Sequence, residues 1–105
     1  GFSQGGALAL YAGLSASWDL AGIIGLSTYL PVVADDRWMR TPAPPLFLAH
    51  GTADPVIPLD TAERTRLRLK ARGIDPAWST WPMGHAVHPQ ELEQLAQWVR
   101  RVAPH

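Results

Sequence analysis

The sequence predicts an α/β fold built on a small parallel sheet. Three observations carry this. Short apolar runs at residues 20–26, 45–49 and 77–83 alternate with segments of helical character. The first two runs show no polar alternation, as expected of strands buried on both faces. The chain has 105 residues, 47% hydrophobic and 17% charged, which suits one small domain with a core and argues against disorder.

The elements follow in order. Residues 8–14, after a glycine pair, read as a helix rich in small side chains. Residues 20–26 are nearly all apolar and rich in Ile, and give the first strand. The stretch from Pro31 to Pro44 has no clear period and reads as a connection, with a short helix around residues 35–39. Residues 45–49 give the second strand, ended by His50 and Gly51. Residues 60–72 read as a helix with Asp60 as N-cap, Glu63 completing a capping-box pattern and Gly73 as a left-handed stop. Residues 77–83 alternate more and are expected nearer a sheet edge. The last helix starts at Pro89, with Glu91 and Glu93 at its positive end and Arg100 and Arg101 at its negative end. Leu92, Leu95, Ala96, Val99 and Val102 recur at helical spacing as its apolar face.

Composition excludes several functions. Nine basic and nine acidic residues cancel, so a nucleic-acid partner held by bulk charge is not expected. The chain has no cysteine, which rules out disulfides, thiolate metal sites and a thiol nucleophile. Every apolar run is far short of a membrane span. The first residues have neither a basic start nor an apolar leader core, so no signal peptide is expected and a cytoplasmic location fits.

The chemistry begins at Gly1-Phe2-Ser3-Gln4-Gly5, a G-x-S-x-G pattern. Such a pattern places a serine on a sharp strand-to-helix turn, with the N–H of the next residue, Gln4, aimed at an oxyanion. Alone, the pentapeptide is weak evidence, because a Gly/Ser-rich helix start also fits it. Two further residues strengthen it. Asp54 follows the second strand, in a loop stiffened by Pro55 and Pro58. His85 follows the third strand. Open α/β sheets build their sites at the C-terminal ends of strands. Ser, Asp and His also occur in the chain order of one large hydrolase fold.

Four blocks in order now resemble the carboxylesterase/phospholipase family, the acyl-protein thioesterase-like branch of the α/β hydrolases. They are Gly1-Phe2-Ser3-Gln4-Gly5-Gly6, Leu26-Ser27-Thr28-Tyr29-Leu30-Pro31, His50-Gly51-Thr52-Ala53-Asp54-Pro55-Val56-Ile57-Pro58, and Met83-Gly84-His85-Ala86-Val87. The resemblance implies a partial α/β-hydrolase fold, with about three parallel strands, flanking helices and the N-terminal strands absent. Residues 1–105 then form the C-terminal half of one hydrolase domain, from nucleophile elbow to last helix. It implies Ser3 as nucleophile, His85 as general base, Asp54 as its partner, and the loop from Ser27 to Pro31 beside the acyl site. Thr28 stands where many relatives have glycine, a departure expected to narrow that site. Leu30, Ile57 and Val87 are the candidate apolar substrate wall, from their places beside these loops.

The expected activity is hydrolysis of a small carboxylic ester or thioester, lysophospholipids included, with no metal or organic cofactor. The competing expectation is a non-catalytic piece that self-associates, with a second copy or another chain, through an open sheet edge. A second oxyanion donor is expected to come from a loop upstream of Gly1.

Other residues have plainer readings. His50 reads as structural, His88 as a cap or exposed residue, and His105 as terminal and disordered. A metal site from His85, His88 and Asp54 lacks a dense ligand cluster. Arg64, Arg66, Arg68, Lys70 and Arg72 read as a solvated helix face. Trp38 is expected either to anchor its loop or to shield an acyl group.

Overall fold

A computed structural model describes residues 1–32 and 35–103 of the chain, so His105 lies outside it. The order is α1 (Gln4–Ser15), β1 (Ile23–Leu26), a single 3₁₀ turn (Asp36–Trp38), β2 (Leu46–Gly51), α2 (Leu59–Ala71), β3 (Ala77–Trp81) and α3 (Pro89–Val102). The strands form one parallel sheet in the order β1-β2-β3. Ile23 pairs with Leu46, and Phe47 pairs with Ala77.

The alternation of β2 explains the layers. All six of its residues are buried. Leu46 and Leu48 face a core with Leu10 and Leu14 of α1 and Leu69 of α2. Phe47 and Ala49 face the other way, against Trp98 of α3. Helices therefore cover both sheet faces, as a parallel sheet requires. Burying each of Leu10, Leu14 and Leu69 contributes roughly 1.5–3 kcal/mol. β3 is only half-buried, which fits its alternating sequence and edge position.

Helix ends are held by specific groups. The Arg40 amide donates to the Leu14 carbonyl at 2.8 Å, and its guanidinium donates to the Gly13 and Trp18 carbonyls at 3.3 and 2.7 Å. A cation thus closes the negative end of α1. α2 ends as expected, with Gly73 left-handed at φ 76°. Its start differs from expectation. Pro58 occupies the cap position without a side-chain bond, and Asp60 sits in the first turn, 2.7 Å from Arg64. Proline presets the backbone there, so the capping box is not needed.

The basic run along α2 is not simply a solvated face. Arg68 grips Asp36 at 2.5 Å and donates to the Leu30 and Pro31 carbonyls at 3.1 and 3.0 Å. Arg72 donates to the Met39 carbonyl at 3.0 Å. Arg66 stacks 5.3 Å from the centre of the Trp78 ring. Arg68 and Arg72 tie the long connection after β1 down onto α2, while Arg66 lies against β3.

α3 is rotated from the expected face. Trp98 is buried and meets Phe47 at 5.6 Å between ring centres. Leu92 and Val99 are exposed. His88 caps the helix, its Nδ1 accepting from the Gln90 amide at 3.0 Å. Glu91 lies in the first turn as expected but is fully buried, and neither carboxyl oxygen has a hydrogen-bond partner. Burial raises its pKa from 4.5 to about 7.

That carboxyl has a consequence for stability. The unfolded chain loses the proton near pH 4.5, while the folded chain holds it to about pH 7. Stability therefore falls as pH rises through this window, by on the order of 3 kcal/mol from this group. Glu91→Leu is expected to raise the thermal midpoint over wild type by at least about 5 °C at pH 8, with a smaller gain at pH 4.5. A gain equal at both pH values, measured by circular dichroism melts, contradicts this account.

Candidate active site

The backbone entering the site is set by β1. Gly1 and Phe2 run parallel to it. The Leu26 amide donates to Gly1, and the Ser3 amide donates to Leu26, each at 2.9 Å. The chain then turns abruptly into α1. Ser3 takes φ 55°, ψ −123°, a left-handed conformation that non-glycine residues rarely adopt. A side chain on Gly1 would overlap the Gly5 carbonyl, which explains the first glycine of the motif. Gly5 itself has open space around it, so no contact among the described residues demands its glycine. Gln4 opens α1, and its N–H is one of those a helix leaves without an internal partner.

Asp54 and His85 come from the loops after β2 and β3. Those loops lie close because Gly51 has no side chain: one would overlap the Met83 and Gly84 carbonyls. The Ala53 amide donates to Met83 at 3.0 Å. His85 Nε2 lies 3.0 Å from Ser3 Oγ, and its Nδ1 lies 2.7 Å from Asp54 Oδ2. The second Asp54 oxygen accepts from the Val56 and Ile57 amides, both at 2.8 Å. The Phe2 ring lies 4.8 Å from the imidazole.

The Asp54 carboxylate is buried. Burial works to raise its pKa, but the Ile57 amide, His85 and the Val56 amide outweigh this and leave it below the usual range. A lowered carboxyl contributes stability above its unfolded pKa and loses it as pH falls below about 4.

The other histidines have different partners. His50 is buried, and its Nε2 donates to the Ile57 carbonyl at 2.7 Å, bracing the Asp54 loop. His88 stacks on Trp81 at 5.0 Å. Among the described residues, no three of His, Cys, Asp or Glu are grouped to hold a metal ion.

The expected apolar wall needs correction. Leu30 is 2% exposed and belongs to the core with Leu10 and Leu14, because Arg68 and Thr65 draw its backbone onto α2. Val87 packs beneath the sheet with Leu26 and Trp98. Ile57 is half-buried in the Asp54 loop. Val56, which sequence reasoning did not single out, is 61% exposed in the same loop. Trp38 packs on Tyr11, with ring centres 4.9 Å apart, so it anchors its loop. Thr28 does not protrude either. It is buried over Gly6 and Gly25, whose missing side chains leave its room: a Cβ on Gly6 would come within 2.6 Å of the Thr28 Cβ.

A parallel sheet with helices on both faces and a left-handed serine at a strand-to-helix turn belongs to the α/β-hydrolase class. Known proteins agree. The sequence model of the Phospholipase/Carboxylesterase family matches residues 1–103, and the chain belongs to that family. It is 38% identical to acyl-protein thioesterase 1 of Gibberella zeae over 110 residues, covering 99% of this chain and 47% of the relative. It is 40% identical to acyl-protein thioesterase 1 of Neurospora crassa over 111 residues, covering 99% and 45%. The crystal structure of Arabidopsis thaliana SOBER1 superposes with a TM-score of 0.90 at 28% identity, over 99% of this chain and 51% of that one. Zea mays acyl-protein thioesterase 2 gives 0.84 at 27% identity, over 96% and 53%. The chain thus spans about half the length of the curated relatives it matches. No helix among the described residues is long and apolar enough to cross a membrane.

Proposed function

We propose that these residues are the C-terminal half of a serine hydrolase domain, which cleaves small carboxylic esters or thioesters through Ser3, His85 and Asp54. The observation that carries this reading is the unbroken line from Ser3 Oγ to His85 to Asp54, at 3.0 and 2.7 Å. In a family of phospholipases and carboxylesterases, such a line has an evident use.

In the reaction, Ser3 Oγ attacks the acyl carbonyl while His85 Nε2 takes its proton. Asp54 keeps Nδ1 protonated and stabilises the imidazolium. Its own position is held by the Val56 and Ile57 amides. The tetrahedral oxyanion receives the Gln4 N–H. His85 then protonates the leaving alcohol or thiol, and the acyl group stays on Ser3. Water, deprotonated by His85, hydrolyses this acyl-enzyme. The relatives named acyl-protein thioesterases favour a thioester among the substrates. Stopped-time turnover of a chromogenic short-acyl ester and of its thioester analogue tests the reading. Hydrolysis of either supports it, and hydrolysis of neither by the full chain refutes it.

A second reading, self-association, rests on the outer edge of the sheet beyond β1. β1 pairs with β2 on one side, and on the other the Gly1–Ser3 segment takes the Ile24 carbonyl and the Leu26 amide and carbonyl, so among the described residues this short segment forms the open edge. Apolar surface flanks this edge on both faces, from Trp18 and Leu20 on one and from Val99 and Val102 on the other. Exposed parallel edges pair readily with another strand. Light scattering at high concentration is expected to show a dimer, and Ile24→Lys is expected to return it to monomer. A wild-type monomer at millimolar concentration removes this reading.

A further inference from the structure

Two non-glycine residues among those described have left-handed backbones. One is Ser3, and the other is Ser27, at φ 52°. Ser3 follows the short run beside β1, and Ser27 follows β1 itself. Backbone strain of this kind costs about 1–3 kcal/mol and persists where surrounding contacts enforce it. At Ser27 those contacts are visible. Its amide donates to the Ala49 carbonyl at 2.9 Å, at the corresponding point of β2. Its hydroxyl, fully buried, donates to the carbonyl of Ala86 at 3.1 Å. Ala86 is the residue after His85. The next residue, Thr28, is also buried and donates through its hydroxyl to the carbonyl of Ser3 at 2.5 Å.

Two adjacent hydroxyls therefore reach opposite members of the site. One holds the histidine loop and the other holds the peptide of the serine. We infer that Ser27 and Thr28 are positioning residues that set the distance between Ser3 and His85. The Thr28 methyl group fits over Gly6 and Gly25, which locks its rotamer and aims the hydroxyl. Both side chains are buried. Both act through the atoms they hold. Misplacement of a reacting pair by about 1 Å can cost on the order of 10² in rate.

This inference rests on the hydrolase reading, and the experiment separates the two. Ser3 is labelled with a fluorophosphonate, whose rate reports the activated serine directly, and kcat and KM are measured on a short-acyl ester. Thr28→Val keeps the volume and removes the hydroxyl, and Thr28→Ser keeps the hydroxyl. Thr28→Val is expected to lower both the labelling rate and kcat by about 10- to 100-fold with KM within twofold of wild type. Thr28→Ser is expected to recover labelling to within about threefold of wild type. Ser27→Gly, which tolerates the positive φ and loses only the bond to Ala86, is expected to lower kcat in the same way without lowering the thermal midpoint. It decides the matter if Thr28→Val does not fold. Wild-type labelling with no change in Thr28→Val and Ser27→Gly overturns the inference and leaves the hydrolase reading standing. Equal loss in Thr28→Val and Thr28→Ser assigns the effect to packing and also overturns it. A wild-type chain that neither labels nor turns over defeats the hydrolase reading, and the inference with it.

Discussion

Ser3→Ala is expected to reduce hydrolysis of a short-acyl ester by at least about 10⁴-fold. The size follows from the covalent step. Without Oγ there is no acyl-enzyme, and water must attack the ester directly. What remains is binding and the Gln4 N–H, which elsewhere sustain only a small part of the rate of an intact triad. The substitution also leaves the fold in place. Ser3 is half-buried, its amide bond to Leu26 does not involve the side chain, and alanine loses only one oxygen. A melt within a few degrees of wild type, with activity lost, is the expected pair of results. Retained turnover in Ser3→Ala would falsify the assignment of the nucleophile.

Asp54→Asn is the second large effect, expected at about 10³- to 10⁴-fold in kcat. Asparagine keeps the shape and can still accept from the Val56 and Ile57 amides through its oxygen. That arrangement turns its NH₂ toward His85 Nδ1. The imidazole then presents Nδ1 as acceptor and carries its proton on Nε2, facing Ser3. A protonated Nε2 cannot take the serine proton. Loss of rate with a small change in KM is therefore expected, because the defect lies in the tautomer and not in binding. The cost to stability should appear above pH 4, where the wild-type carboxylate is ionised and held below its usual pKa by its three donors. A KM raised in proportion to the loss of kcat/KM, at constant kcat, contradicts this role.

Much of the architecture is legible in the sequence. The order of helices and strands follows from short apolar runs alternating with helical segments, and Gly73 marks the end of α2 at a positive φ. The loops carrying Asp54 and His85 are legible too, because each follows a strand and strands of a parallel sheet end together, while the turn at Ser3 is legible from its G-x-S-x-G pattern. What sequence could not supply was the facing of particular side chains. The periodic apolar stripe of α3 suggests Leu92 and Val99 as inward residues, yet Trp98 and Glu91 are the buried ones. Pairing with Phe47 across the sheet decides the rotation, and that contact is tertiary. Its place beside the site loops suggests Leu30 as an apolar wall, but Arg68, thirty-eight positions away, draws it into the core. Thr28, where many relatives have glycine, suggests a narrowed site. Gly6 and Gly25 make room for it, a complementarity that becomes visible only when three separate positions meet.

Ser3 and His85 are separated by 82 positions in the chain. His85 is therefore made well after Ser3. At a synthesis rate of about 5–20 residues per second, the gap lasts roughly 4–16 s. During that time Ser3 exists without its hydrogen-bond partner His85. The loop bearing His85 is also fixed only after β3 has joined β2, the last pairing the sheet makes in chain order. On the proposed mechanism, a nascent chain therefore carries an ordinary alcohol at Ser3 until β3 has joined β2.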